Sequence, residues 1–306
     1  MRLNKLKVSD KKIFGKYLAL SKHELSVYSF ANIYIWRKFF DIRWAIIEKS
    51  LCVFFQDKIG AFLYLSPLAK LNDGQAVEKA FGILRKFNKN PELAHIENIE
   101  EKDLISYKAL GYRCSFKAND YLCKVDDLAR LQGDKFKSKR ASCNYFIKHY
   151  DSRYERLSLK DKNKCLELYD LWMKQRQSEN SDRIYQGMLG DSRVALKEAF
   201  DNYAPLGFEG GVVKIGQEVK GFTFGFALNP EIFCILYEIT DLSVKGLAQF
   251  IFRAFSQDLR NYAFINIMDD SGLENLKKVK LSYHPAKLVP AYIVRRGPYE
   301  QEHRRS

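Results

Sequence analysis

The chain has 306 residues, nearly half of them apolar with 22 Phe and 18 Tyr, and a formal net charge of +14. That length admits one large domain or two of ordinary size, and the apolar runs at 61–65 and 232–236 are strand-sized, far short of the ~20 residues a spanning helix needs. The basic start Met1-Arg-Leu-Asn-Lys-Leu-Lys leads into no apolar signal core, so a cytoplasmic protein without a transmembrane segment is expected.

The positive balance favours polyanionic partners: tRNA or other nucleic acid, anionic headgroups, or a phosphorylated cofactor. Cys52, Cys114, Cys123, Cys143, Cys165 and Cys234 are scattered, and the five histidines do not cluster. Neither a zinc site nor a disulfide framework is expected, and no metal is implied.

In chain order, residues 9–20 read as a helix capped by Ser9 or Asp10, and 30–40 as a second. Strands at 44–47, 51–56 and 61–65 read as a meander, with turns at Lys49-Ser50 and 57–60. Asp73 caps a helix whose Val77, Ala80, Phe81, Leu84 and Phe87 recur at helical spacing. A strand at 95–99, a helix at 102–110 and a strand at 112–116 complete one α/β layer unit.

From Asn119 the order begins again. Helices at 125–131, 138–150, 159–177 and 186–203 precede strands at 208–215, 218–228 and 232–239, with Gly216-Gln217 as a hairpin turn. Residues 246–260 form an amphipathic helix burying Leu247, Phe250, Ile251, Ala254, Phe255 and Leu259. A strand at 264–268, a helix at 273–280 and a strand at 288–294 close the chain. The expected architecture is α/β with two tandem domains, 1–118 and 119–306, each a mixed central sheet flanked by helices. The active site is expected in the second.

Glu238 ends a strand that is otherwise apolar. An unpaired carboxylate there costs several kcal/mol, so it either faces a cleft as a catalytic group or pairs with a basic residue of the neighbouring domain. Asp269 and Asp270 end the 264–268 strand, where open α/β sheets place ligands. Adjacent residues point to opposite sides, so one is expected to work and the other to cap the following helix. Asp269 is the candidate base and Asp270 a candidate substrate ligand. Tyr283 is placed to reprotonate a leaving group, whereas His284 reads as structural.

Lys277 and Lys280, three apart on one helix face, are candidates for phosphate or acceptor, against the alternative of a solvated lysine face. Lys139 and Arg140 lie in a basic run interleaved with Phe136, Tyr145 and Phe146, and read as a phosphate or tRNA site. The alternative is an amphipathic helix with a solvated basic side. A second basic cluster is the tail with Arg295, Arg296, Arg304 and Arg305.

The meander at 208–239, the loop at 240–245, the helix that follows and the closing strand–helix–strand resemble the GNAT acyltransferase fold. That superfamily's donor signature is Gln or Arg, two residues, Gly, one residue, then Gly or Ala. Ser243-Val-Lys-Gly246-Leu-Ala248 keeps Gly246 and Ala248, with Ser243 in the first place. The resemblance implies that backbone amides at Lys245, Gly246 and Leu247 hold a donor pyrophosphate, in keeping with the anion affinity of helix N-termini.

Over most of its length the chain resembles a narrower bacterial family, uncharacterised proteins related to the C-terminal domain of phosphatidylglycerol lysyltransferase. The matching residues include Ser29-Phe30, Asn32-Ile33-Tyr34, Trp36, Asp120-Tyr121-Leu122, Lys139-Arg140, Gly221-Phe222, Asp269, Gly272, Leu276-Lys277, Lys280, Tyr283 and Pro285. Relatives of known activity move an aminoacyl group from charged tRNA to an amine or hydroxyl on lipid or peptidoglycan precursors. The resemblance therefore implies an acyl or aminoacyl transferase. Its donor would be a coenzyme A thioester or aminoacyl-tRNA, and its acceptor a small molecule, lipid headgroup or peptide. The alternative is a non-catalytic binding or scaffolding protein that kept the fold.

Overall fold

A computed structural model describes residues 2–70, 74–179 and 181–297. They form two compact units, 2–120 with 289–297, and 121–288. The helix cap expected at Asp73, and Arg304 and Arg305 of the basic tail, lie outside the described residues.

In the first unit β1 (Asn4–Lys5) pairs with β2 (Asp41–Ile47), which runs antiparallel to β3 (Ser50–Gln56) and on to β4 (Ala61–Leu63). Glu48 and Lys49, both at positive φ, make the β2–β3 turn, the left-handed pair that a two-residue hairpin loop prefers. Two helices, α1 (Lys11–Leu18) and α2 (Phe30–Ile35), precede this meander. A third, α3 (Gly74–Phe87), crosses from β4 to β5 (His95–Glu100), which lies parallel to β4. Val77, Ala80, Phe81 and Leu84 of α3 bury themselves against Cys52, Phe54, Leu63, Ile96 and Ile99. Phe87, expected in the same stripe, is 39% exposed at the helix end. After α4 (Leu104–Ala109) comes β6 (Arg113–Lys124).

The second unit repeats this order. Helices α5 (Val125–Arg130) and α6 (Lys137–His149) lead to a strand, β7 (Ser152–Arg156), and then to α7 (Lys162–Glu179), α8 (Arg183–Asp201) and the short α9 (Tyr203–Leu206). A meander follows, of β8 (Glu209–Ile215), β9 (Glu218–Asn229) and β10 (Ile232–Thr240), with β7 pairing on β8. The crossover helix α10 (Leu247–Asp258) returns to β11 (Phe264–Asn266), parallel to β10. Finally α11 (Glu274–Leu281) precedes β12 (Lys287–Arg295).

One face of this sheet packs Phe233, Ile235 and Ile265 under Phe252 and Phe255 of α10. The other face stacks Phe222 and Phe224 on Phe200 of α8. Gly225 lets β9 and β10 approach closely: a Cβ there would stand 1.8 Å from the Cys234 carbonyl oxygen.

The closing strands differ from the order expected of the sequence. The place beside β5 is taken by β12, through Ala291↔Glu100 and Val294↔Ile96. The place beside β11 is taken by the end of β6, through Ile265↔Cys123 and Asn266↔Leu122. Residues 289–297 thus belong to the first unit, although they follow α11 in the chain. Antiparallel pairing decides this, and a local hydrophobic pattern carries no record of which strand a partner will be.

Candidate functional site

β10 and β11 are paired only from Ile232↔Phe264 to Cys234↔Asn266, whereas β10 runs on to Thr240. The two strands part there, and a crevice at the C-terminal ends of parallel strands is where such sheets bind ligands. The register against β9 slips at Leu236, between Ile235↔Gly225 and Tyr237↔Phe224. Such a bulge re-aims the residues beyond it. Tyr237 turns toward α8, donating from its hydroxyl to the Ser192 carbonyl at 2.9 Å. Ile235 and Glu238, which strict alternation would set on opposite faces, both turn to the α10 side.

There the Glu238 Oε2 atom is enclosed and has no hydrogen-bond partner. Burial pushes the carboxyl up to about 8, with the Lys280 ammonium pulling in the other direction. Thr223 lies directly opposite Glu238 on β9. Tyr283 packs on the same side, edge-on to Phe252 at 4.6 Å. Burial, then the neighbouring Glu238 charge, lifts the Tyr283 phenol well above its usual range, so it holds its proton.

The turn after β11 is held by its own polar groups. Met268 and Ser271 both sit at positive φ, a strained choice for residues with a side chain. Asp269 Oδ1 accepts from the Ser271 amide at 2.7 Å. Asp270 accepts from the Gly272 amide at 3.0 Å and from the Tyr121 hydroxyl. Lys280 Nζ donates to the carbonyls of Ile267, Met268 and Asp269, binding the turn from within. Lys280 is therefore a positioning group for the turn and a positive charge beside Glu238. The helix cap expected of an Asp side chain is instead Leu273, whose amide donates to the Asp270 carbonyl.

Lys139 comes to the site from α6. Its ammonium donates to Ser282 Oγ at 2.7 Å and stands 4.2 Å from the Tyr283 ring centre. Burial lowers its pKa. Arg140 points away, donating to the Leu131 and Gly133 carbonyls, where it fastens the turn after α5. Lys277 is exposed, 4.0 Å from Glu274. The structure thus brings together Glu238, Lys280, Tyr283 and Lys139, with Asp269 and Asp270 in the turn that Lys280 secures. Arg140 and Lys277 stand outside that cluster.

The candidate donor loop is occupied by a side chain of its own. Asp241, 4% exposed, accepts from the Ser243 amide at 3.0 Å and the Ser243 hydroxyl at 2.7 Å. Gln175 at 3.3 Å and Lys220 at 3.2 Å also donate to it. Burial draws the Asp241 pKa up, but the Ser243, Gln175 and Lys220 bonds outweigh it and hold the carboxylate below its usual range. The Leu242 amide donates to Gln175 Oε1, Val244 to the Asp241 carbonyl and Leu247 to Val244.

Lys245, Gly246 and Leu247 serve the packing of α10 against α6. The Lys245 ammonium lies 4.5 Å from the Tyr145 ring centre, and Leu247 is fully buried. Gly246 has φ +84°, and a Cβ there would stand 2.2 Å from the Ser142 carbonyl oxygen.

Thr223, Asp241, Gln175 and Tyr121 escape a reading for chemistry. Asp241 had one available signal, a carboxylate directly after a strand end at the start of a putative phosphate loop. Thr223 had none. Among the described residues, no three His, Cys, Asp or Glu side chains gather as metal ligands, and no helix is long and apolar enough to cross a membrane.

The profile of the family described as "Phosphatidylglycerol lysyltransferase, C-terminal" matches residues 18–295. A conserved protein of unknown function from Bacteroides thetaiotaomicron is 25% identical and superposes with a TM-score of 0.86, over 96% of this chain and 99% of that one. The C-terminal domain of a putative lysylphosphatidylglycerol synthetase from Agrobacterium fabrum is 14% identical, with a TM-score of 0.66 over 94% of this chain and 92% of that domain. A tandem GNAT protein from the clavulanic acid biosynthesis pathway shares the fold at 12% identity, with a TM-score of 0.50 over 98% and 99% of the two chains. The uncharacterised protein MYCGA3080 of Mycoplasmoides gallisepticum is 27% identical over 190 residues, 58% of this chain; the match spans about half, 56%, of that relative's length.

Proposed function

The chain belongs to the phosphatidylglycerol lysyltransferase C-terminal family, and from that premise we propose that it transfers an aminoacyl group from aminoacyl-tRNA to an amine or hydroxyl, with Glu238 as the base. The observation that carries the choice of donor is Asp241. A coenzyme A pyrophosphate would need the amides of the loop before α10. The buried Asp241 carboxylate, Gln175 and the loop's own carbonyls already take those of Leu242, Ser243, Val244 and Leu247. An anion brought there would also meet a fixed negative charge in a poorly solvated site. A charged tRNA brings its ester to the crevice without using that loop, and the surplus of positive charge favours such a partner.

The chemistry asked of the site is direct acyl transfer. The acceptor's lone pair attacks the ester carbonyl carbon, and Glu238 Oε2 takes the proton from the attacking atom. The bond from that carbon to the ribose oxygen breaks, and the departing oxygen takes a proton from the Tyr283 hydroxyl. Glu238 returns a proton to Tyr283, which closes the cycle with atoms and charge in balance. A base with a pKa near 8 is well matched to such a transfer near neutrality. Lys280 keeps the turn in place, and its charge favours the ionised form of Glu238.

Calorimetric titration of the purified protein tests the donor. No heat is expected with coenzyme A or acetyl-coenzyme A, and saturable binding is expected with aminoacyl-tRNA. Micromolar binding of coenzyme A would overturn the choice of donor.

A further inference from the structure

Two enclosed polar atoms face one another beside the crevice, and neither has a partner in the protein. One is Glu238 Oε2, the other Thr223 Oγ1, on a residue with no exposed surface. Thr223 and Glu238 are cross-strand partners on β9 and β10, so their side chains stand on the same face with Cβ atoms about 4.5–5.5 Å apart. Most buried polar side-chain atoms in folded proteins are bonded, and an exception calls for an explanation. Two exceptions at paired positions on one face call for a single one.

The group they await must satisfy both. A ligand hydroxyl has one hydrogen and can serve only one of the two oxygens. A primary ammonium has three, reaches both oxygens from a point between them, and brings the positive charge that an enclosed carboxylate lacks. We propose that Thr223 and Glu238 together form the recognition site for a primary amine, with Thr223 a substrate-contacting residue of the transfer reaction. This rests on the acyl-transfer reading of Glu238 and narrows the acceptor or donor group at that site to an amine. The amine enters as its ammonium, gives a proton to Glu238, and keeps its hydrogen bond to Thr223 while its lone pair becomes available. Both the amino group of an acceptor and the α-amino group of an aminoacyl ester have this chemistry.

The test uses the whole protein and four simple probes: n-butylamine, n-butanol, alaninamide and lactamide, with binding followed by NMR shifts or calorimetry. The amines are expected to bind at least tenfold more tightly than the matching alcohols. Thr223→Val, which replaces the hydroxyl by a methyl of similar shape, is expected to weaken amine binding at least fivefold. It should leave the melting temperature unchanged or raised, since it removes a buried group without a partner. A change that merely damaged the fold would lower both.

Binding of alaninamide but not butylamine assigns the site to the donor's α-amine, and binding of both assigns it to an acceptor amine. Either supports the proposal. Equal binding of amine and alcohol, or amine binding untouched by Thr223→Val, overturns it and leaves the two oxygens to ordered water only. Amine binding that depends on Thr223 in a protein showing no aminoacyl transfer would refute the transferase reading while leaving the amine site standing.

Discussion

Replacing Glu238 by Gln should make the protein more stable at alkaline pH than the wild type. The carboxyl's rise from an ordinary 4.5 to about 8 means that the folded protein holds this proton longer than the unfolded chain does. For a group whose folded pKa is raised, the contribution to stability is fully present below the unfolded pKa and is lost as pH climbs through the folded one. At ~1.4 kcal/mol per pH unit the loss amounts to about 5 kcal/mol between pH 4.5 and 9. Glutamine has the same shape and does not titrate, so its own amide adds an offset independent of pH. Denaturant unfolding of the two proteins at pH 5, 7 and 9 should therefore show the difference moving in favour of Glu238→Gln by several kcal/mol. Curves that stay parallel within about 1 kcal/mol across that range would refute an enclosed, unpartnered carboxylate at this position.

Further substitutions probe the groups around it. Lys280→Met leaves three turn carbonyls without their charged donor and should cost about 2–4 kcal/mol; it should also move the alkaline limb of the pH–rate profile upward, because Lys280 holds the Glu238 pKa down. Gly246→Ala would set a Cβ against Ser142 at a left-handed φ, and calorimetric melting should show a loss of at least about 2 kcal/mol. Arg140→Ala strands the Leu131 and Gly133 carbonyls and should destabilise by about 1–3 kcal/mol in denaturant unfolding. Reversing the exposed Lys137 and Lys148 of α6 should reduce tRNA retention on filters and flatten its salt dependence, with the melting temperature unchanged.

Much of the fold is readable in the sequence because its periodicities are strong. The stripe Leu247, Ile251, Phe255 announces α10, and the apolar runs of β8 to β10 with Gly216-Gln217 between the first two announce the meander. The strand β7 is not readable: Ser152-Arg-Tyr-Glu-Arg pairs at the sheet edge with only Tyr154 large enough to mark a buried face. The placement of β12 beside β5 depends on pairing between distant segments, on which local pattern is silent.

At the site, Glu238 stands out in sequence because it interrupts an apolar strand, but its enclosure and the bulge at Leu236 that aims it come from packing. Lys280 and Arg140 read as ligand-facing because a sequence shows charge and not where a long side chain carries it. In the folded chain both ammonium and guanidinium reach back to carbonyls. Asp241 lies one residue past the end of β10, and only the geometry reveals that it fills the loop ahead of α10.

The central claim is that this chain moves an aminoacyl group using Glu238, and single-turnover transfer tests it most directly. The purified protein is mixed with tRNA carrying a radiolabelled amino acid and a panel of primary amine and hydroxyl acceptors, and labelled product is followed beside spontaneous ester hydrolysis. Wild-type protein should form labelled product from charged tRNA and none from acetyl-coenzyme A, and Glu238→Gln should slow the transfer by at least a hundredfold. Transfer at wild-type rate by Glu238→Gln, or product only from the thioester, would contradict the account.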